Sequence, residues 1–458
     1  MGFTRDGPDW RGPDGQHYLP LFEAKMIHHY DHRYGSYAGL GARPKDGSLP
    51  EVSDAMRANP EYEAEPWYWV PAEETELRVA RVPQRLKAYL RKENPEGCLK
   101  VLAEWVLSSL DPDDLRPENL ARTAPLATAR LREVLGERAV ARGILGATFA
   151  TWLGKAAAGA RKMALETPLS ADDLHFVKQG PKPALDLARA LIARKQPRWL
   201  MGWRDITNAT NERTVIASVF PKVGTGDTLL LMHPKQPANI AAALLANLCS
   251  IPLDYLCRQK IGGTHLKYNV YKQNAVLAPH QFSKADLAFL TPRVLELTYT
   301  SHAMRPWAED LGHTGAPFIW DPERRAGLKA EIDAFFARKY GLSRDELRYI
   351  LDPADTHGPD YPSETFRGLQ RGEIEKYGEY RTRRLVLAAW DRMEADGTFN
   401  RLGLSGQEIP ASSTLRIELP PLAQLPEGAW AWTASVQPAD RIRVAAQYAL
   451  WLADPDSD

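Results

Sequence analysis

Hydrophobic and polar positions divide the chain into regimes of different period. From Glu76 to about Arg194 apolar residues recur at helical spacing: Val82, Leu86, Tyr89 and Leu90 share one face, and Leu99, Leu102, Val106 and Leu110 share another. Asp111-Pro112 predicts the end of that second helix, and Ala129–Arg142 and Gly146–Glu166 continue the pattern. Ser170 and Asp173 stand at capping-box spacing, which predicts a helix from Ala171.

Between Trp199 and Pro279 the pattern changes. Val215, Ala217 and Val219 alternate with Thr214, Ile216 and Ser218, predicting a strand over Thr214–Phe220. Thr228–Met232 is a second apolar segment, followed by a helix around Asn239–Cys249 that ends near Pro252. Val223 to Asp227 reads as a turn, as does Gly262-Gly263. Leu266, Tyr268, Val270 and Tyr271 interleave with Lys267, Asn269, Lys272, Gln273 and Asn274, which predicts an extended strand. Further on, Ser283 opens a short helix that Pro292 ends. Asp321-Pro322 is a helix start with Asp at the N-cap and Pro at the first position. Leu328, Ile332, Phe335, Phe336 and Tyr340 form its apolar face, and Gly341 closes it. Ser343 and Glu346 cap the next helix, and another surrounds Gly372–Met393. A Pro/Gly/Ala-rich tail follows, with a short helix predicted at Ala445–Leu452.

These elements predict an α+β chain. It divides into a junction segment (1–75), a helical spacer (76–198), a mixed, β-rich domain with one long helix (199–293), a C-terminal helical region (294–398) and a tail (399–458). Leu19, Leu21, Phe22, Met26, Ile27 and Tyr30 are too apolar for a free leader. They are expected to dock on a partner or to fold back onto the helical region.

Composition changes this picture little. The 458 residues carry 58 basic and 58 acidic side chains, so no global field attracts or repels nucleic acid. Locally, Trp199–Ala275 holds eight Lys/Arg against four Asp/Glu, a mild basic excess. Cys98, Cys249 and Cys257 have neither metal-ligand spacing nor an even disulfide count, which fits a reducing cytoplasm. Gly2–Gly15 lacks the apolar stretch of a signal peptide. Ile240–Leu256 is the most apolar run; Asn247, Pro252 and Asp254 interrupt it, so a buried helix is expected and no membrane span.

Candidate chemistry concentrates in the polar lead to the predicted strand. Arg204, Asn208, Asn211, Arg213 and Thr214 carry donors and acceptors suited to base edges, Arg for guanine and Asn for adenine. Lys222, Lys260, Lys267 and Lys272 are spaced like phosphate contacts, with Asn269 and Asn274 among them. A solvated loop before a core strand would explain the same residues. Arg324, Arg325, Arg338, Arg381, Arg383 and Arg384 are equally compatible with solvent and with phosphate clamping. Two catalytic readings compete. Asp14 with Glu23 and Lys25 imitates the acid and E-x-K arrangement of a metal-dependent nuclease, although its first acid lies in a Gly/Pro loop where that site wants a core strand. His28, His29, Asp31 and His32 include two residues that would share a helical face, without a matched second pair of ligands, so a packed polar junction is favoured. Asn59-Pro60-Glu61-Tyr62 nearly spells the N-P-P-Y motif that holds a flipped adenine, but no apolar strand precedes it.

The stretch WRDITNATNERTVIAS (Trp203–Ser218) resembles the target-recognition region of type IIG and type IIL restriction–modification proteins. Those are long chains in which an adenine-specific DNA methyltransferase precedes a DNA-reading domain. Leu19–Tyr37, Leu253–Pro279, Ala316–Pro353 and Gly372–Met393 are similar to the same family, in the same order. The methyltransferase half and its Gly-rich cofactor loop are not in this sequence. The resemblance therefore implies a DNA-recognition module, encoded as a separate specificity subunit or left as an inert piece of a split gene. It implies double-stranded DNA and a methyltransferase subunit or domain as partners. No cofactor is implied for this chain, S-adenosylmethionine belonging to the partner.

Overall fold

A computed structural model of the chain describes residues 2–45, 47–136, 144–146, 148–361 and 365–404. The predicted helix end near Arg142 and the tail beyond residue 404, with the predicted helix Ala445–Leu452, lie outside the described residues. Among the described residues eight strands form two sheets: β1 (Thr4–Asp6), β2 (Asp9–Arg11), β3 (His17–Phe22), β4 (Trp69–Pro71), β5 (Trp199–Arg204), β6 (Ala217–Pro221), β7 (Gly224–Thr225) and β8 (Leu229–Met232). The fold is α+β, as the patterning implied.

In the first sheet β1, β2, β3 and β4 run antiparallel in that order, and β7 adds to β3 in parallel, Leu21 facing Gly224. The predicted turn at Gly224 is thus a short strand. A Cβ on Gly224 would stand 2.5 Å from Val70 Cγ2, so only glycine lets the chains approach. The second sheet is antiparallel, β6-β5-β8. Its middle strand β5 is the WLMGWR run, buried on both faces, and a Cβ on Gly202 would meet the Leu230 carbonyl oxygen at 2.4 Å. The strand predicted from Thr214 begins only at Ala217. Thr214 and Val215 are buried but give their N–H groups to the Asp254 carboxylate (2.9 and 3.3 Å) and not to a neighbouring strand.

The spacer packs its own core. The helix Pro95–Leu107 is its centre, buried along nearly its whole length against Gln84–Arg91, Leu120–Leu135, Phe149–Glu166 and Ala184–Arg194. A second core runs without a break from Trp199 to Phe399, joining β5 and β6 to the helices Ala238–Leu248, Lys284–Thr298, Pro322–Lys339 and Arg381–Ala395. Phe22, Met26, Ile27, Phe220, Val223 and Leu229 form a smaller cluster between the two sheets. The capping signals read from the sequence operate: Ser170, Ser283, Asp321 and Ser343 each accept a backbone N–H at a helix start.

Three expectations need correction. Pro292 does not end its helix, which continues to Thr298; Val294, Leu295 and Leu297 bury against the core, and that packing outweighs the ring's cost. Gly372–Met393 is two helices, Arg367–Tyr377 and Arg381–Ala395, separated at Gly378 in the left-handed conformation. Ile240–Leu256 is likewise two helices, Ala238–Leu248 and Ile251–Arg258, bent by 57°. That pair has the length and composition of a broken membrane span, but most of it lies in the core; among the described residues no single helix is long and apolar enough to cross a membrane.

The N-terminal stretch folds mainly against the 199–293 domain, and it also meets the helix Ala72–Val79, where Val79 of the spacer joins the cluster of Phe22, Met26 and Ile27. Tyr30 enters the main core, and His29 bonds the Val215 carbonyl. Arg33, fully buried, donates to the carbonyls of Arg57, Asn59, Tyr62 and Thr300. A guanidinium with that many carbonyl acceptors ties residues far apart in the chain into one unit.

Candidate functional site

The polar loop between β5 and β6 is built around one carboxylate. Asp254, fully buried on the helix Ile251–Arg258, lies between Arg213 (Nε–Oδ2 3.0 Å) and Arg258 (Nε–Oδ1 2.7 Å). Arg258 also donates to the carbonyls of Ala209, Asn211, Glu212 and Thr365, and its guanidinium covers the Phe366 ring at 4.3 Å. Arg213 reaches the Cys249 carbonyl as well. Arg204 turns inward to the Ile27 carbonyl (2.8 Å), and burial lowers its pKa to about 10. Asn208 accepts from Thr210 and from the Asn211 N–H, closing a turn, and the Thr214 hydroxyl bonds the Asn208 carbonyl. The expectation that Arg204 and Arg213 project from this loop as base readers is therefore corrected. A buried guanidinium takes the acceptors the fold supplies, and Asp254, 41 residues on from Arg213, supplies them.

The segment Lys260–Asn274 is the exposed part of this region. Asp205, buried completely, accepts from Lys267 Nζ (2.5 Å) and His265 Nδ1 (2.9 Å), and its carbonyl accepts the Leu266 N–H. Burial alone would raise the Asp205 carboxyl, but the bonds from Lys267 and His265 outweigh it and hold the group below the usual range. Ile206 pairs with His265 in an isolated bridge. The predicted strand here is instead a short helix, Tyr268–Tyr271. Its cause is aromatic: Tyr271 stacks on Trp203 at 3.9 Å and 8°, and Tyr268 meets the same ring edge-on at 4.9 Å. Asn269 and Lys272 face outward, Lys267 is tied to Asp205, and Lys260 donates to the Gln273 carbonyl. Asn274 is buried beneath them, so it does not offer the expected surface contact. Lys222 lies apart and pairs with Glu76 of the spacer at 3.2 Å.

A cavity of about 410 Å³ opens beside the loop. The helix Pro322–Lys339 lines it with Arg325, Lys329 and Asp333, one turn apart; the N-terminal stretch contributes His28, His29 and Asp31. Arg325 donates to the Leu297 carbonyl (2.7 Å) and lies 3.7 Å over the Trp320 ring. Burial lowers it to about 10, and burial with the charge of Arg325 lowers Lys329 to about 8. Asp333 accepts the Ile251 N–H at 2.8 Å, and burial raises it to about 6. Burial holds both His28 and His29 well below their ordinary pKa, so both are neutral near pH 7. His29 Nε2, 2.6 Å from a carbonyl oxygen, must be the donating nitrogen. Sequence reasoning missed Lys329 and Asp333. The available signal was an ionisable group, Asp333, inside the otherwise apolar run Ile332–Phe336.

The stretches that carry the family resemblance meet at this cavity. Leu19–Tyr37, Trp203–Ser218, Ala316–Pro353 and Gly372–Met393 each line it, and Leu253–Pro279 supplies the Asp254 and Arg258 that hold its Arg213 wall.

Of the residues in the nuclease and metal readings, Glu23 and Lys25 do pair, at 3.7 Å, but the rest are engaged elsewhere. Asp14 accepts the Gln16 N–H in an exposed turn. Glu23 is bonded to Tyr37 (3.0 Å) and Arg43 (2.8 Å), and Lys25 to the Gly47 carbonyl. His28 and Asp31 bridge a tight turn in place of a helix, with Tyr30 at φ 59°, and His32 bonds Ser301 and Glu63. Asn59 closes a turn onto Glu61 and lies on no strand. Among the described residues no group of three or more His, Cys, Asp or Glu is placed to hold a metal ion. Comparison of the chain with protein-family models, with curated proteins and with solved structures finds no match.

Proposed function

We propose that this chain is a sequence-specific DNA-recognition module that works with a separate adenine-specific methyltransferase part. The observation that carries this reading is the convergence of the resembling stretches, spread over Leu19–Met393, onto one cavity and the frame beside it. Segments that belonged to unrelated surfaces would have no reason to meet. The Lys260–Asn274 segment supplies the contact surface: Lys272 suits phosphates and Asn269 suits a base edge, while the Lys267 ammonium is held by Asp205. Asp205 and Trp203 hold that segment rigidly enough to present such contacts. The partner supplies S-adenosylmethionine and the methyl transfer.

Fluorescence anisotropy with random-sequence and selected duplexes tests the reading. Binding should weaken steeply with salt, and Lys272→Ala should weaken it for all sequences while lowering the salt slope by about one unit. Salt-independent binding, or none, would refute the assignment. The purified chain alone should bind no S-adenosylmethionine at micromolar concentration and methylate no DNA until a methyltransferase is supplied.

A further inference from the structure

The cavity walls hold two cations for which the described residues supply no paired carboxylate. The Arg325 guanidinium is fixed by carbonyl oxygens and by Trp320. One turn on, Lys329 lines the same space, with no hydrogen bond or ion pair among the described residues. The acids around them are already engaged. Asp31, Glu51 and Asp54 surround Arg57 at 3.0, 3.2 and 3.5 Å. Glu373 accepts both the N–H and the hydroxyl of Thr382 (2.7 and 2.6 Å). Asp333 accepts the Ile251 N–H, and Glu212 lies exposed at the rim.

Asp31 and Glu212 act on Lys329, and Asp31 and Asp54 on Arg325, only at longer range, so both cations keep donors that no carboxylate of the fold takes up directly and that a ligand's oxygens can satisfy. The space, about 410 Å³, falls in the range of small-ligand sites. We propose that this cavity is a binding site for a phosphate-bearing ligand, whose oxygens accept hydrogen bonds from Lys329 and Arg325. The phosphate is that of a free nucleotide or that of the backbone of bound DNA; the chemistry at the cations is shared. The site is separate from Lys260–Asn274, so its failure would leave the DNA reading standing.

Calorimetry of the full chain with inorganic phosphate and with adenosine monophosphate, at fixed ionic strength, tests this. Wild type should bind at least one of them saturably, and Lys329→Gln should weaken that binding about tenfold or more. Without ligand, Lys329→Gln should melt no lower than wild type, because it removes a charge that burial disfavours. A duplex that displaces the phosphate assigns the site to the DNA backbone, and one that leaves it bound assigns a free ligand; both outcomes uphold the anion site. Flat titrations of wild type with both ligands, or equal affinity in Lys329→Gln, would overturn it. The wild-type titration decides even if the variant does not fold.

Discussion

At the residue scale, one arginine separates framework from contact. Arg213 is buried against Asp254, and removing one partner of such a pair leaves the other charge stranded. Arg213→Ala should therefore cost about 3–5 kcal/mol of folding stability, seen as a large drop in urea midpoint. Lys272→Ala, on an exposed side chain, should leave that midpoint unchanged and act only on DNA affinity. If Arg213→Ala kept wild-type stability and changed only the bound sequence, the framework role would be wrong. Lys329 gives a pH signature. Its proton leaves near pH 8 in the folded chain and near 10.5 when unfolded, among Arg325, Asp31, Glu212 and Cys249. Its charge therefore opposes folding fully below about pH 8, and the opposition fades as pH rises towards 10.5. Any stability margin of Lys329→Gln over wild type should shrink across that window, measured by denaturant unfolding at pH 7, 8.5 and 10. A margin that widens would contradict the burial of the ammonium. These roles were not legible in the sequence, where Arg213 and Lys272 look alike. What tells them apart is Asp254, distant in the chain and unmarked by any local pattern.

At the element scale, helix starts were legible because capping is local. Asp321 accepts the N–H groups of Glu323 and Arg324, as its position before Pro322 implied. Asp321→Ala should cost about 1 kcal/mol, read as a small shift in melting temperature, with DNA affinity kept. A loss of several kcal/mol would mean that the cap also props the cavity helix. Tyr268–Tyr271 failed for the opposite reason. Its alternation of aromatic and polar residues is real, but two tyrosines close on Trp203 from one side, which a helical turn permits and a strand does not. Pro292 failed because tertiary burial overrode a local stop signal. β5 escaped notice because a strand buried on both faces has no alternation to detect.

For the whole molecule, the N-terminal stretch is the decisive piece. By sequence the stretch could dock on a partner or fold back, and the structure has it folded back: β3 is an interior strand, Tyr30 enters the main core and Arg33 ties four carbonyls. Deleting residues 1–40 should abolish cooperative unfolding, followed by calorimetry or near-ultraviolet circular dichroism. A deletion that still melted in one sharp transition would show that the stretch only rests on the surface. The α+β class and the helical spacer were readable from period alone. The closure of the chain on itself was not, because it depends on contacts between stretches nearly three hundred residues apart, such as Arg325 with the Tyr30 carbonyl.

The central claim, that this chain reads DNA, is met most directly by selecting bound duplexes from a random pool. Wild type should enrich one short asymmetric sequence. Lys272→Ala should retain that sequence with weaker binding, and Asn269→Ala should relax preference at one base pair. A wild-type pool that stays random after repeated rounds, from protein that is folded and monodisperse, would contradict the account.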